Sequence, residues 1–192
     1  ILREACLSRD HFMAWTDAAG SAEAAARQVS SVLDLDDGDR LEDIERGIVD
    51  GPNLPRPLWQ RTADALAASS NADQKQAARL LDAVHATDTA QVDEYLGMYL
   101  TDTKTPRDTV VTNNFRKKNA DLGNRFDAEI VRLPPLIEKR RALMLRDRTE
   151  ALLHIAIAVA ANYRREKQER GLLDYDDLID KTLALFASGA SG

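Results

Sequence analysis

LIEKRRALMLRDRTEALLHIAIAVAANYRREKQER, at residues 136–170, decides the fold, because its 35 residues include neither glycine nor proline. Apolar side chains recur along it at helical spacing and mark the inward-facing positions, namely Leu136, Leu143, Ile155, Val159 and Tyr163. Pro134 and Pro135, directly before it, suit the first turn of a helix, and Gly171 suits the position just after its end. We therefore predict one long helix over about residues 136–170, roughly 50 Å at 1.5 Å per residue.

The rest of the sequence also favours helices, since alanine, leucine and arginine are abundant while aromatic residues make up 5%. Apolar periodicity predicts helices on both sides of Gly20, a short one through Leu41, Ile44 and Ile48, and others at 58–70, 72–85, 87–100, 115–133 and 176–186. The 58–70 and 72–85 helices should form an antiparallel hairpin. Only TDTKTPRDTVVT, residues 101–112, favours an extended or looped segment that pairs briefly as β.

Helix boundaries follow from capping residues and helix breakers. We expect Asn71 to cap the 72–85 helix, Gly123 to break the 115–133 helix, and Asp174 or Asp176 to cap the last helix. The predicted fold class is all-α, an irregular multi-helix bundle with one long helix and at most a short extended segment.

Charge is distributed unevenly along the chain, whose formal net charge is -6. Residues 1–100 hold 9 Lys/Arg and 18 Asp/Glu, whereas residues 104–170 hold 16 and 9. We therefore divide the predicted subdomain into an acidic helical part, residues 1–91, and a basic helical part, residues 92–192. A basic region of this kind favours contact with nucleic acid.

The sequence lacks the motifs that are typical of several classes of function. The sequence has no Walker A motif, and its three histidines lie far apart, so we predict no catalytic residue and no metal ligand. The acidic turn at residues 34–39 places Gly38 one position too early for a calcium loop. The single cysteine excludes a disulfide framework and favours a cytoplasmic setting, and no apolar run is long enough to span a membrane.

The motif that discriminates is LDYDDLI, residues 173–179, which follows the long helix. It resembles the segment that helicases of the UvrD, PcrA, RecB and AddA type carry shortly before their Walker B motif, with tyrosine in the usual phenylalanine place. Residues 95–115 and 139–167 extend the similarity toward the AddA branch, so that it covers about residues 92–186. The junction motif, as we call it, comprises Tyr163, Lys167, Gly171, Leu173, Asp174, Tyr175, Asp176, Asp177, Leu178 and Ile179.

The resemblance implies that the chain is the 1B accessory subdomain of a superfamily 1 helicase, cut from a longer protein and without ATPase chemistry of its own. The parent would be an ATP- and Mg-dependent 3′–5′ DNA translocase of double-strand break repair, with a nuclease domain and a second repair subunit. Its Walker A motif would precede residue 1. The junction motif would connect the subdomain to the motor. Equally, capping by Gly171 and Asp174 and burial of Tyr175, Leu178 and Ile179 would explain the motif without any ligand.

Cations in the basic part are the candidates for contact with DNA phosphates. They form three clusters, which are Lys104 and Arg107; Arg116, Lys117 and Lys118; and Lys139, Arg140, Arg141, Arg146 and Arg148. Without interleaved aromatic residues, these predict non-specific contact with duplex DNA rather than stacking on single-strand bases. The alternatives are a solvated helix face with ion pairs to Glu138 and Asp147, and a helical protein-interaction or regulatory domain that binds no nucleic acid.

Overall fold

The computed structural model describes residues 18, 20–173 and 175–189, and these residues form an all-α fold, as the sequence predicts. Its helices are α1 (Ala22–Val32), α2 (Leu41–Val49), α3 (Trp59–Ala67), α4 (Asn71–His85), α5 (Asp88–Gly97), α6 (Asn113–Lys118), α7 (Ala120–Arg170) and α8 (Tyr175–Gly189). A 3-10 turn, Arg56–Leu58, precedes α3, and the predicted pair α3 and α4 pack against each other.

The chain is divided into two compact units, one of which comprises residues 30–145. The described residues on either side of that range belong to the other unit. These units reflect packing, whereas the division at residue 91 follows charge alone and stays a prediction. Charge along a helical sequence records which side chains face water or an ion-pair partner, and it carries little information about which helices share a core.

The core of the 30–145 unit is built around a chain of aromatic rings. Trp59 stacks on Tyr95 with ring centroids 4.7 Å apart, and its indole Nε1 donates to the carbonyl of Leu54 at 2.8 Å. Tyr99 then connects Tyr95 to Phe126, whose ring meets the edge of Phe115 at 6.3 Å. Because these rings come from α3, the α5 region, α6 and α7, one aromatic chain fixes the positions of four helical segments.

Pro134 and Pro135 lie inside the long helix, not at its start, so the predicted boundary near residue 136 is wrong. Each proline deprives a carbonyl one turn earlier of its donor, those of Ile130 and Val131. Val131 is 78% exposed, so water can reach that turn. Packing compensates for the lost bonds, because Leu133 and Ile137 are both buried in the core.

Other predicted boundaries are partly right. Ser70 caps α4 in place of Asn71, accepting a hydrogen bond from the N–H of Asp73. Gly123 does not interrupt α7, since the break falls at Asn119, between α6 and α7. A Cβ at Gly123 would lie 3.2 Å from the Arg116 Cγ, tighter than an ordinary contact, so this glycine lets the end of α6 approach closely. An antiparallel bridge between Leu100 and Pro106 confirms the brief β pairing.

A buried ion pair joins α7 to the end of α2. Glu129 is fully buried, and its two carboxylate oxygens accept from Nε and Nη2 of Arg132 at 2.8 and 2.7 Å. Asn53 Nδ2 and the hydroxyl of Tyr95 donate to the same carboxylate at 2.9 and 3.1 Å. The Arg132 guanidinium also donates to the carbonyls of residues 47 and 48 in the last turn of α2, where a cation is favoured.

Gly51 is required by this arrangement, because a Cβ there would overlap the Arg132 guanidinium. We expect Gly51→Ala to lower the free energy of unfolding by about 1–3 kcal/mol, as overpacking does in well-packed sites. Gly47→Ala is the matched control, since Gly47 lies within α2 with open space around its Cα. It should raise stability by about 0.5–1 kcal/mol. Urea unfolding of both variants checks the pair, and equal effects would contradict the assignment.

Candidate nucleic-acid interface

The first predicted cluster lies on a tight turn closed by threonine side chains. The hydroxyls of Thr101, Thr103 and Thr105 lie within 2.7–3.3 Å of one another. Lys104 is exposed at the tip of this turn, with a φ of 62°. Its carbonyl accepts a hydrogen bond from Arg141 Nη2 at 2.6 Å. The structure therefore brings one member of the third cluster beside the first cluster. Arg107 donates to the carbonyl of Leu100 at 2.8 Å. Because acidic residues 102, 108 and 138 belong to the same region, the turn carries little net positive charge.

Two members of the third cluster form ion pairs with residues far away in the chain. Arg140 is buried and donates to Glu45 and to Asp93, both at 2.8 Å. Lys139 pairs with Asp39 at 2.7 Å. Asp39 and Glu45 belong to the acidic part of the sequence, so cations of the basic part are neutralised by carboxylates of the acidic part within the 30–145 unit. We therefore leave Lys139 and Arg140 out of the candidate interface.

Arg146 and Arg148 belong to the other compact unit. Arg146 pairs with Asp147 at 2.8 Å, whereas Arg148 is exposed. Of the third cluster, Lys139, Arg140 and Arg141 belong to the 30–145 unit.

The second cluster lies where α6 ends and α7 begins, and the fold adds two arginines to it. We call this set the basic corner; its members are Arg61, Arg116, Lys117, Lys118 and Arg125. Arg116 pairs with Asp127, and Arg125 Nε pairs with Asp121 at 2.9 Å. In the described part of the chain no carboxylate pairs with the other three cations, all of which are exposed. The corner therefore combines five cations with two carboxylates.

A surface pocket of about 390 Å³ opens in the basic corner between α3 and the start of α7. Arg61, Lys118 and Arg125 line it, together with residues 119–122 at the amino end of α7. The first hydrogen bond of α7 runs from Gly123 N to the Asn119 carbonyl at 2.9 Å. The amides of residues 120–122 accordingly have no acceptor in the part of the chain described, as is usual in a first helical turn.

Thr62 lines the same pocket and is 1% exposed. Its hydroxyl oxygen has no hydrogen-bond partner among the described residues. A threonine hydroxyl within a helix usually returns a bond to a carbonyl one turn earlier, and a buried polar atom without a partner costs free energy. The pocket therefore combines cations and free amides, whereas the unsatisfied hydroxyl is buried from solvent.

The junction motif belongs to the other unit and is organised around Lys167. This lysine pairs with Asp177 and lies 5.4 Å from the centre of the Tyr163 ring, which connects the end of α7 to α8. Gly171 has φ 61°, and the amide of the next residue donates to the Lys167 carbonyl at 2.9 Å, so the predicted helix end is confirmed. Asp174 lies outside the described residues.

The apolar residues of the junction motif are not core, contrary to the expectation of burial. Tyr175 is 82% exposed, and Leu173, Leu178 and Ile179 are each 50% exposed. Asp176 lies within α8, after its first residue, so it does not cap that helix.

Arg61 and Arg125 were missed by sequence analysis for different reasons. Arg125 lies inside the basic region and could have been included on charge alone. Arg61 lies in the acidic part, and only the packing of α3 places it beside the pocket. Comparison with protein-family models, curated proteins and solved structures gives no match. Among the described residues no helix could cross a bilayer, and no three acidic, histidine or cysteine side chains come together as a metal site would require.

Proposed function

We propose that this chain is a 1B-like accessory subdomain of an ATP-dependent 3′–5′ DNA helicase and nuclease, and that it contacts duplex DNA non-specifically beside the motor. The observation that supports DNA contact is the basic corner, where Arg61, Lys117 and Lys118 are exposed without carboxylate partners among the described residues. Exposed, unpaired cations gain most from phosphate contact, because binding releases condensed counterions and breaks no existing ion pair.

The side chains of the basic corner suit contact with the phosphate backbone and not recognition of the base sequence. Lysine and arginine recognise phosphates by charge, and the aromatic rings near the corner, Phe115 and Phe126, are fully buried and cannot stack on bases. A translocating motor needs contacts of this kind, since its grip must be independent of base sequence.

The last helix, α8, which begins within the junction motif, supports the second part of the proposal, attachment to a neighbouring domain. Exposed apolar side chains along α8, among them Tyr175, Leu183 and Phe186, favour burial against another protein surface. In the proposed setting that surface is the motor of the same helicase, which supplies the ATP and Mg chemistry. A second repair subunit and a cytoplasmic location complete this proposal.

Duplex titration tests the DNA contact. We expect the affinity to fall steeply between about 50 and 200 mM salt. Replacing Arg61, Lys117 and Lys118 by alanine should weaken binding and reduce the slope of log K against log salt by about 1 for each side chain that contacts a phosphate. Fluorescence anisotropy with a labelled duplex measures both quantities.

The control removes the same charge elsewhere, with alanine at Arg46, Lys75 and Arg164, all exposed. If both triple variants weaken binding equally, net charge explains the result and the basic corner is not the interface. If wild-type chain shows no salt-sensitive binding, the exposed face of α8 instead favours the second candidate function, a helical protein-interaction domain that binds no nucleic acid.

A further inference from the structure

We infer that the exposed apolar side of α8 is a surface through which the chain binds a second copy of itself, with the two α8 helices antiparallel. We call this surface the α8 face; its side chains are those of Tyr175, Leu178, Ile179, Leu183, Leu185 and Phe186. The inference goes beyond the proposed function and does not rest on it, because DNA contact is assigned to the basic corner, which belongs to the other compact unit.

The polar side of α8 is the side that is joined to its own chain. Asp177 pairs with Lys167, near the end of α7. Successive residues of a helix are rotated by about 100°, so Tyr175 and Phe186 lie on nearly the opposite side of α8 from Asp177. These two rings are 82% and 72% exposed. A helix on a completed core turns its apolar side inward, so the α8 face lacks a covering surface within the described part of the chain.

Exposed apolar residues are concentrated in and next to the α8 face. Leu172 and Leu173, which precede α8, are also at least half exposed. In the 30–145 unit, by contrast, the exposed large apolar side chains are those of Val32, Val131 and Leu145, which lie far apart in the sequence. Single exposed apolar residues are common on soluble proteins, whereas a group of neighbouring ones marks an interaction surface.

The area of the α8 face matches one partner's share of a stable dimer interface. If a fully exposed large apolar residue offers about 150–200 Å², the six fractional exposures give roughly 600–800 Å². The largest apolar patch of an ordinary monomer is about 300–600 Å², and a specific complex buries about 800 Å² on each partner. A two-fold contact buries the same patch on both copies, so the α8 face is large enough to form a dimer without a second surface.

The charge pattern of α8 favours an antiparallel pair of helices. Its sequence has acidic residues at 176, 177 and 180 and a lysine at 181. A parallel pair would bring the two acidic ends together, whereas an antiparallel pair separates them and sets the helix dipoles in the favourable orientation. The apolar positions are nearly symmetric about the middle of α8. An antiparallel pair therefore places Tyr175 opposite Phe186 of the second copy, and Leu178 opposite Leu183 of the second copy.

The same charges disfavour a lipid surface as the partner of the α8 face. Helices that lie on membranes usually carry lysine and arginine on their polar side, where these residues meet anionic headgroups. The α8 sequence has three acidic residues and one basic residue, so an anionic membrane would repel it. A second copy of the chain supplies the apolar cover without this repulsion.

Sedimentation velocity of the 192-residue chain at about 1–300 µM tests the inference. We expect a reversible monomer–dimer equilibrium. Phe186→Glu should raise the dissociation constant about tenfold or more, because a carboxylate would be buried at the centre of an apolar contact. Val131→Glu is the matched control, since it adds the same charge at a residue that is 78% exposed in the other unit. Its dissociation constant should stay within about twofold of wild type. Far-UV circular dichroism should show unchanged helix content in both variants.

Leu178→Lys and Leu183→Glu test the antiparallel register. Each variant alone should dimerise about tenfold more weakly than wild type, or weaker still. In an equimolar mixture the introduced lysine of one copy lies opposite the introduced carboxylate of the other, so the mixture should dimerise about fivefold more tightly than either variant alone. A mixture no tighter than the separate variants would overturn the antiparallel pairing.

Three other results would overturn the inference. One is a chain that stays monomeric up to about 300 µM. Another is an equal effect of Phe186→Glu and Val131→Glu on the dissociation constant. The third is binding to vesicles of phosphatidylcholine and phosphatidylserine that Phe186→Glu abolishes, since the α8 face would then take lipid.

The proposed DNA contact fails or holds independently of this result. Duplex titration reports on the basic corner, and sedimentation without DNA reports on the α8 face. A motor domain in the proposed setting would bury the same side chains of α8, so that contact and self-association exclude each other. The dimer is accordingly expected of a chain whose α8 face is uncovered.

Discussion

Arg132→Met should lower the free energy of unfolding by about 3–5 kcal/mol, the range seen when one partner of a buried ion pair is removed. The variant leaves the Glu129 carboxylate, which is fully buried, without its two-bond partner. Burial raises the pKa of Tyr95, so its hydroxyl stays protonated and still donates to Glu129, as does Asn53 Nδ2, but two neutral donors cannot balance a buried charge. The last carbonyls of α2 lose their donors as well. Urea unfolding measures the loss.

The control is Arg46→Met, which removes a pair with the same spacing in a helix. Arg46 bonds Asp43 at 3.0 Å, three positions earlier, with both side chains more than half exposed. An exposed pair contributes about 0–1 kcal/mol, so this variant should be nearly neutral. Combining Glu129→Gln with Arg132→Met should recover part of the loss, because the buried charge is gone. Equal costs for Arg132→Met and Arg46→Met would contradict the role given to the buried pair.

The helical class could be predicted because periodicity is a local property, but the start of the long helix could not. Pro134 and Pro135 satisfy the rule for a helix start, and the rule fails because the stripe of core residues crosses them. Phe126, Leu133 and Ile137 are all buried and share the face of one helix, so ending the helix at the prolines would pull Phe126 out of the core. Burial of those side chains outweighs two missing hydrogen bonds.

The candidate interface was only partly predictable for a related reason. Sequence shows which cations exist, whereas ion pairing depends on residues far away in the chain. Arg140 meets Glu45 from 95 positions earlier, which converts a predicted phosphate contact into a buried pair. Arg61 reaches the basic corner only because α3 packs beside the start of α7. Lys117 and Lys118 could be predicted to be exposed cations because they lie in the last turn of the short helix α6, where positive charge is favoured.

The environment of Asp73 also depends on residues far away in the chain and could not be predicted from its neighbours in the sequence. In the sequence it is an ordinary acid in the first turn of α4, yet it is fully buried. Its Oδ1 accepts from the amide of Thr112 at 2.9 Å, and its Oδ2 accepts from the hydroxyls of Ser69, Ser70 and Thr112 at 2.7–2.8 Å. Thr112 also caps α6, so this carboxylate joins the starts of two helices.

Stability should therefore depend on pH through this carboxylate. Burial alone would raise the pKa of Asp73, but the hydrogen bonds from Thr112, Ser70 and Ser69 outweigh it, so the pKa lies below its ordinary value of 3.8. Because the folded pKa is the lower one, the stabilisation is complete above the unfolded pKa. It is lost as the pH falls through the folded value.

We expect Asp73→Asn to cost about 2–3 kcal/mol at neutral pH, since an amide cannot accept all four bonds. The difference from wild type should stay constant from about pH 7 to 5 and shrink below about pH 4, as the wild-type carboxylate is protonated. Urea unfolding across this pH range measures it, with Asp64→Asn, an exposed acid in α3, as the control expected to stay within about 0.5 kcal/mol. If the difference in free energy of unfolding between wild type and Asp73→Asn is as large at pH 3 as at pH 7, the shape of the Asp73 side chain stabilises the fold and its charge does not.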